Sequence, residues 1–180
     1  KNGNFRFNVI DNPTISIDEV KKEFEAQFKK FLSYGICPSH IDTHHHVFRS
    51  KKIFDIVLGL AKQHNIPVRV MNDKMKDVAN AKGVNCPDVL VSRFYNLTTT
   101  NGKLEKIIKQ HQQKDACIEI MCHPCYVDKE LFDISTYNAK RLNKFYVLKK
   151  HLKKVYTKMW KWLAIMIYQI HLIIIRKKMN

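Results

Sequence analysis

The chain has 180 residues, 45% of them hydrophobic, and a formal net charge of +16. That length and apolar content suit one ordinary globular domain and exclude a disordered chain. The charge suggests a nucleic-acid binder, but residues 144–180 hold ten Lys and Arg and no acid, so residues 1–143 carry 22 basic against 16 acidic residues, a net of only +6.

In chain order, Asn2-Gly3-Asn4 reads as a turn leading into a short extended piece. A helix follows Pro13. Ser16 and Glu19 have capping-box spacing, Val20, Phe24, Phe28, Phe31 and Leu32 recur at helical spacing, and Gly35 stops the run. After Pro38, "SHIDT" suits a strand. Ser50 opens a second helix, Lys51 to His64, with Ile53, Phe54, Val57, Leu58 and Ala61 on one face. "IPVRVM" is rich in β-branched residues and reads as a second strand.

The stretch from Asn72 to Asn101 shows no clear period. A third helix is expected from about Lys103 to Gln113, after the Asn101-Gly102 turn. "ACIEIM" is a third strand that runs into "CHP", and Tyr137 to Leu148 suits a helix. Strands alternating with helices favour an α/β fold with parallel strands. In such folds chemistry collects at the C-terminal ends of the strands. His44 to His46, Arg69 and His123 all fall at or near such ends.

"HIDTHHHVF", His40 to Phe48, carries four of the nine histidines, with Asp42 among them. Neutral imidazole binds first-row divalent metals, and a carboxylate completes or orients such a site. If the segment leaves a strand, alternation puts His40, Asp42, His44 and His46 on one side and His45 on the other. The competing reading is a histidine-bearing surface loop. His123, rigidified by Pro124, suits a general acid or a ligand, or else it simply ends a strand. Arg69, in an apolar run, either orients a carboxylate or reaches solvent from an edge strand.

Five cysteines at irregular spacing do not form a disulfide framework, and reduced thiols are expected. "CHPC" has C-x-x-C spacing. A redox motif would need a following helix, a zinc half-site would need a second pair, and coincidence is the simpler reading. "KNGNFRFNVIDNP" has no apolar signal region, so a cytoplasmic location is expected. No phosphate loop, dinucleotide fingerprint or nucleophile elbow is present.

"PSHIDTHHHVF", the amphipathic helix after it, "IPVRV" and "EIMCHPCYVD" together resemble the YdjC-like carbohydrate deacetylases, the family of the chito-oligosaccharide deacetylases. "NGNFRF" also resembles a piece of that family, and the likeness runs from about Lys1 to Arg141. It implies an α/β fold of the distorted β/α-barrel type and removal of acetyl groups from N-acetylated amino sugars or chito-oligosaccharides. It also implies a divalent metal, Mg2+ with Zn2+ as alternative, held by an Asp and two His, of which the first of the triplet is His44. His123 is the expected acid for the leaving amine. His40, Asp42, His46 and Arg69 are expected to support the site or touch substrate. No specific nucleic acid is expected as a partner, and homo-oligomer formation stays open.

Two departures stand out. Phe48 occupies the place of the family's last histidine in this segment. The strand-borne Asp-Asp pair and the second metal histidine of the family have no counterpart here, so an incomplete barrel of impaired activity is expected. The expected domains are therefore a partial deacetylase domain, 1–143, and a basic apolar tail, 144–180. The acid-free tail reads as out-of-frame sequence. The alternative is a non-enzymatic membrane-surface or nucleic-acid-binding module acting through that tail. Trp162 to Ile175 falls short of the roughly 20 apolar residues of a spanning helix, leaving an interfacial helix as the membrane form.

Overall fold

The computed structural model describes residues 16–95, 101–111, 116–135, 137–156, 163–165 and 171–174. The opening turn and extended piece, residues 2–8, lie outside them. The chain divides into two compact units, Lys1–Cys86 and Pro87–Asn180.

The first unit begins with helix α1, Ile17–Leu32. The Ser16 hydroxyl caps it by accepting from the Glu19 N–H at 3.3 Å. No residue of α1 is fully buried, although Val20 and Phe24 pack on the core and the Phe28 ring lies 4.5 Å from His64. Helix α2, Lys51–His64, supplies most of that core, with Ile53, Phe54, Val57, Leu58 and Ala61 buried as its spacing predicts. It ends at Asn65 in the left-handed conformation, where asparagine is better tolerated than most residues. Helix α3, Asp73–Ala81, lies in the stretch that showed no period. Its signal is Asn72, whose side chain accepts from the Met75 N–H at 3.0 Å.

The expected strands "SHIDT" and "IPVRVM" do not form a ladder. They shrink to a single parallel bridge, Ile41 to Val68. The Ile41 N–H donates to the Pro67 carbonyl at 2.9 Å and the Arg69 N–H donates to the Ile41 carbonyl at 3.0 Å. Val68 turns its own N–H to Asn85 at 2.9 Å, so the pairing stops there. The bridge still does what a strand would do for function, because it sets Asp42 beside Arg69.

The second unit holds a four-stranded sheet in the order β1-β2-β4-β3, formed by Val89–Val91, Ile118–Met121, Leu163–Ile165 (β3) and His171–Ile174 (β4). β1 and β2 are parallel, while β4 runs antiparallel to both β2 and β3. The sheet is thus mixed rather than purely parallel. Residues 163–165 and 171–174 are strand rather than interfacial helix. No helix among the described residues is long and apolar enough to cross a membrane.

Helix α4, Asn101–His111, lies two residues earlier than expected. Leu104 and Ile107 from it, Phe94, and Ile118 and Ile120 of β2 form the core with Val147 and Leu148. A short helix, α5, spans Lys129–Ile134 and is capped by Asp128. Helix α6, Ala139–Tyr156, is longer than the predicted Tyr137–Leu148 and continues through position 144.

Lys144 of α6 is wholly buried, its ammonium donating to the Tyr137 hydroxyl at 2.8 Å. Burial holds its pKa below the ordinary value of 10.5. The neighbouring Cys122 opposes that shift, while Lys140 and Arg141 add to it. A group whose folded pKa is depressed in this way binds fewer protons in the native state. Stability then rises as pH climbs from the folded pKa toward 10.5, and the full cost is present below that window. In chloride buffer at neutral pH, Lys144→Met is expected to raise stability by about 1–2 kcal/mol and to flatten this alkaline slope. Urea unfolding across pH checks it, and a lower midpoint at neutral pH would refute it.

Candidate functional site

The site grows from the Ile41–Val68 bridge. Asp42 follows Ile41, Arg69 follows Val68, and parallel pairing brings their side chains together. Arg69 Nη1 donates to Asp42 Oδ2 at 2.7 Å, with the Arg69 side chain fully buried and that of Asp42 only 9% exposed. A buried guanidinium at this distance fixes the carboxylate in one orientation. The other oxygen, Oδ1, lies 4.0 Å from His46 Nδ1, beyond hydrogen-bond reach but close enough to steer a protonated imidazole.

The histidine run does not alternate as a strand. His44–Arg49 forms a 3-10 turn, with His45 at φ 53° and His46 at φ 55°. Two consecutive left-handed residues break the alternation: the His44 and His45 rings come within 4.1 Å of each other, while His46 stays on the side of Asp42. Thr43 anchors the turn: its carbonyl accepts from the His46 N–H at 3.1 Å, and its buried hydroxyl accepts from the Phe48 N–H at 3.3 Å. Phe48 is the turn's core plug, 1% exposed, with its ring 5.8 Å from His46 and 6.1 Å from Phe54. Sequence reading did not identify Thr43 as an anchor. Its signal is a hydroxyl-bearing residue just before a run that must turn.

His44 is exposed, with its ring 4.1 Å from that of His45. Partial burial, and then the His45 charge, hold its pKa below the usual 6.5, which favours the neutral imidazole that a metal needs. His40 is half-buried, and its Nδ1 shares a 2.9 Å hydrogen bond with the Ser39 hydroxyl. The structure therefore gathers Asp42, His46 and Arg69 about one bridge, with His44 on the turn beside them.

His123 belongs to the second unit, in the loop that leaves β2. It is half-buried between buried Cys122 and buried Pro124, and the loop is tied down where the Cys125 N–H donates to the Arg141 carbonyl at 3.4 Å. All five cysteines are free thiols. The six residues after Cys122 form no helix, which begins only at Lys129, so the "CHPC" thiols lack the helix N-terminus that redox activation needs.

Left-handed backbone costs a residue with a Cβ about 1–2 kcal/mol, and glycine escapes that cost at some loss of unfolded-state entropy. His45→Gly is therefore expected to raise stability by up to about 1 kcal/mol. Urea unfolding measures it, and a clear drop in midpoint would show that the His45 ring contributes more than its strain costs.

Among the described residues, no three His, Cys, Asp or Glu side chains come together to hold a metal ion. Asp42, the carboxylate beside His46, is paired with Arg69. The described donors alone thus do not fit the three-ligand centre that the resemblance implies.

By architecture this is an α/β protein with a buried arginine–carboxylate pair beneath a histidine turn. The YdjC-like protein family model matches residues 1–157, and the chain belongs to that family. It is 38% identical over 135 residues to a carbohydrate deacetylase of Clostridium beijerinckii, covering 73% of this chain and 53% of that relative. It is 32% identical over 151 residues to a chitooligosaccharide deacetylase of Proteus mirabilis, covering 81% of this chain and 58% of that one. A crystal structure from Enterococcus faecalis, of a protein assigned to cellobiose-phosphate cleavage, superimposes with a TM-score of 0.71 at 27% identity. The match covers 86% of this chain and 62% of that one. The chain spans little more than half the length of these curated relatives.

Proposed function

We propose that this chain carries part of a machinery that removes acetyl groups from N-acetylated amino sugars, chito-oligosaccharides among them. The supporting observation is the Asp42–Arg69 pair under the histidine turn, in a chain whose relatives are named carbohydrate deacetylases. Its elements are then a part of a distorted β/α-barrel.

Hydrolysis of an acetamide forms a bond from water oxygen to the carbonyl carbon and breaks the carbon–nitrogen bond. The departing nitrogen must gain a proton. His123 supplies it, on a loop that its tie to α6 holds in place. Arg69 holds Asp42 in place, and Asp42 in turn orients His46 toward the substrate. His40 contributes a further polar contact from the start of the segment. A divalent cation, Mg2+ or alternatively Zn2+, belongs to this reading, and His44 is the ligand it takes from the described residues. It would polarise the amide or the attacking water.

Because the described residues gather no three-donor cage, turnover by this chain is expected to be slow. Acetate release from N-acetylated chitobiose, with and without added Mg2+ or Zn2+, tests the reading. Slow release that disappears in His123→Ala and in His44→Ala is the expected result. Release unaffected by both substitutions would remove the assigned roles, and fast release would remove the impairment.

A further inference from the structure

A cluster of cations on α6 is used by neither the histidine turn nor His123. Around the centre of the Tyr137 ring lie Lys144 Nζ at 5.2 Å, Arg141 Cζ at 5.3 Å and Lys140 Nζ at 5.8 Å. Helical spacing groups the cations, since positions 140, 141 and 144 share one face of α6, and Tyr137 lies just before the helix begins. Among the described residues no carboxylate forms an ion pair with Lys140, Arg141 or Lys144. Lys144 is wholly buried with the Tyr137 hydroxyl as its acceptor, and the Nε of Arg141 is buried without a hydrogen-bond partner. Helix α6 also has no acid in its first turn, so the positive end of its dipole adds to the same field.

Two further cations, Lys140 and Arg141, beside the buried Lys144 ammonium, with no carboxylate paired to any of the three among the described residues, are an unfavourable arrangement by themselves. It becomes favourable when an anion enters. A guanidinium, two ammonium groups and a helix N-terminus are the donors that recognise tetrahedral oxyanions. We propose that Lys140, Arg141 and Lys144, arrayed about Tyr137 at the start of α6, form a binding site for a phosphate-class oxyanion. The site stands apart from the deacetylase reading and does not depend on it. The same chemistry would take free phosphate or the phosphate of a monoester.

The test is thermal unfolding of the full 180-residue chain titrated with inorganic phosphate at constant ionic strength, chloride being the balancing anion. The parent chain should show a saturable rise in midpoint. Arg141→Gln, at a half-buried position, should need roughly tenfold more phosphate for the same rise. Lys144→Met should start from a higher midpoint and fail to respond. Lys129→Gln, which alters an exposed lysine paired with Asp133, should respond like the parent. A second titration with a hexose 6-phosphate separates the two sources: tighter binding assigns the site to an esterified ligand, equal binding to the free ion. A parent midpoint that moves no more with phosphate than with chloride overturns the proposal. So does an Arg141→Gln response equal to the parent's.

Discussion

Arg69→Met is expected to destabilise the protein by about 3–5 kcal/mol, one of the two largest effects of any single substitution discussed. The reason is not the worth of the Asp42–Arg69 pair but the state of the survivor. Asp42 is nearly buried and Arg69 wholly so. Removing the guanidinium leaves a carboxylate in a place that water hardly reaches, with the His46 imidazole 4.0 Å away. Replacing both partners at once, Asp42→Asn with Arg69→Met, should recover a large part of the loss, because no buried charge then remains. Urea unfolding of the two single variants and the double variant gives the coupling. If the double variant is as unstable as Arg69→Met, the guanidinium matters through its packing, and the electrostatic account fails.

Phe48→Ala should cost about 3–5 kcal/mol through lost burial and the cavity left behind. The ring lies at the junction of the histidine turn and α2, against Phe54 on one side and His46 on the other. Phe48→Leu, which keeps most of the volume, should cost much less. Phe48→His sets a polar ring in an apolar pocket and should also be destabilising. Comparing the three by urea unfolding separates volume from polarity. A Phe48→His variant as stable as the parent would show that the pocket holds an acceptor or water for the imidazole.

How far the sequence revealed this structure varied with the kind of force at work. Helices α1 and α2 were legible because a local period and a cap, such as Ser16, fix them without reference to the rest of the chain. Helix α3 was equally local, but its apolar period is weak and only Asn72 marked it. The histidine run was misread because alternation was assumed. Thr43, which holds the chain in a reversal by accepting from His46 and Phe48, shows its effect only in three dimensions. Arg69 was left between two roles, since its partner lies 27 residues away and pairing across that distance has no local signature. Lys144 had a signal that went unused: a charge three and four positions before the buried Val147 and Leu148, on the face that α6 turns inward.

The bridge at Ile41 also sets a clock. Both of its backbone groups are engaged, the N–H with Pro67 and the carbonyl with the Arg69 N–H, and these two hydrogen bonds hold the pairing of the two segments. Neither bond can open alone without freeing the other, so the amide protons of Ile41 and Arg69 should exchange with deuterium at one shared rate. The His46 amide, bonded to the Thr43 carbonyl within its own turn, should exchange sooner. The histidines would then move on a faster timescale than the carboxylate beneath them, so an incoming ligand meets adjustable rings over a fixed charge.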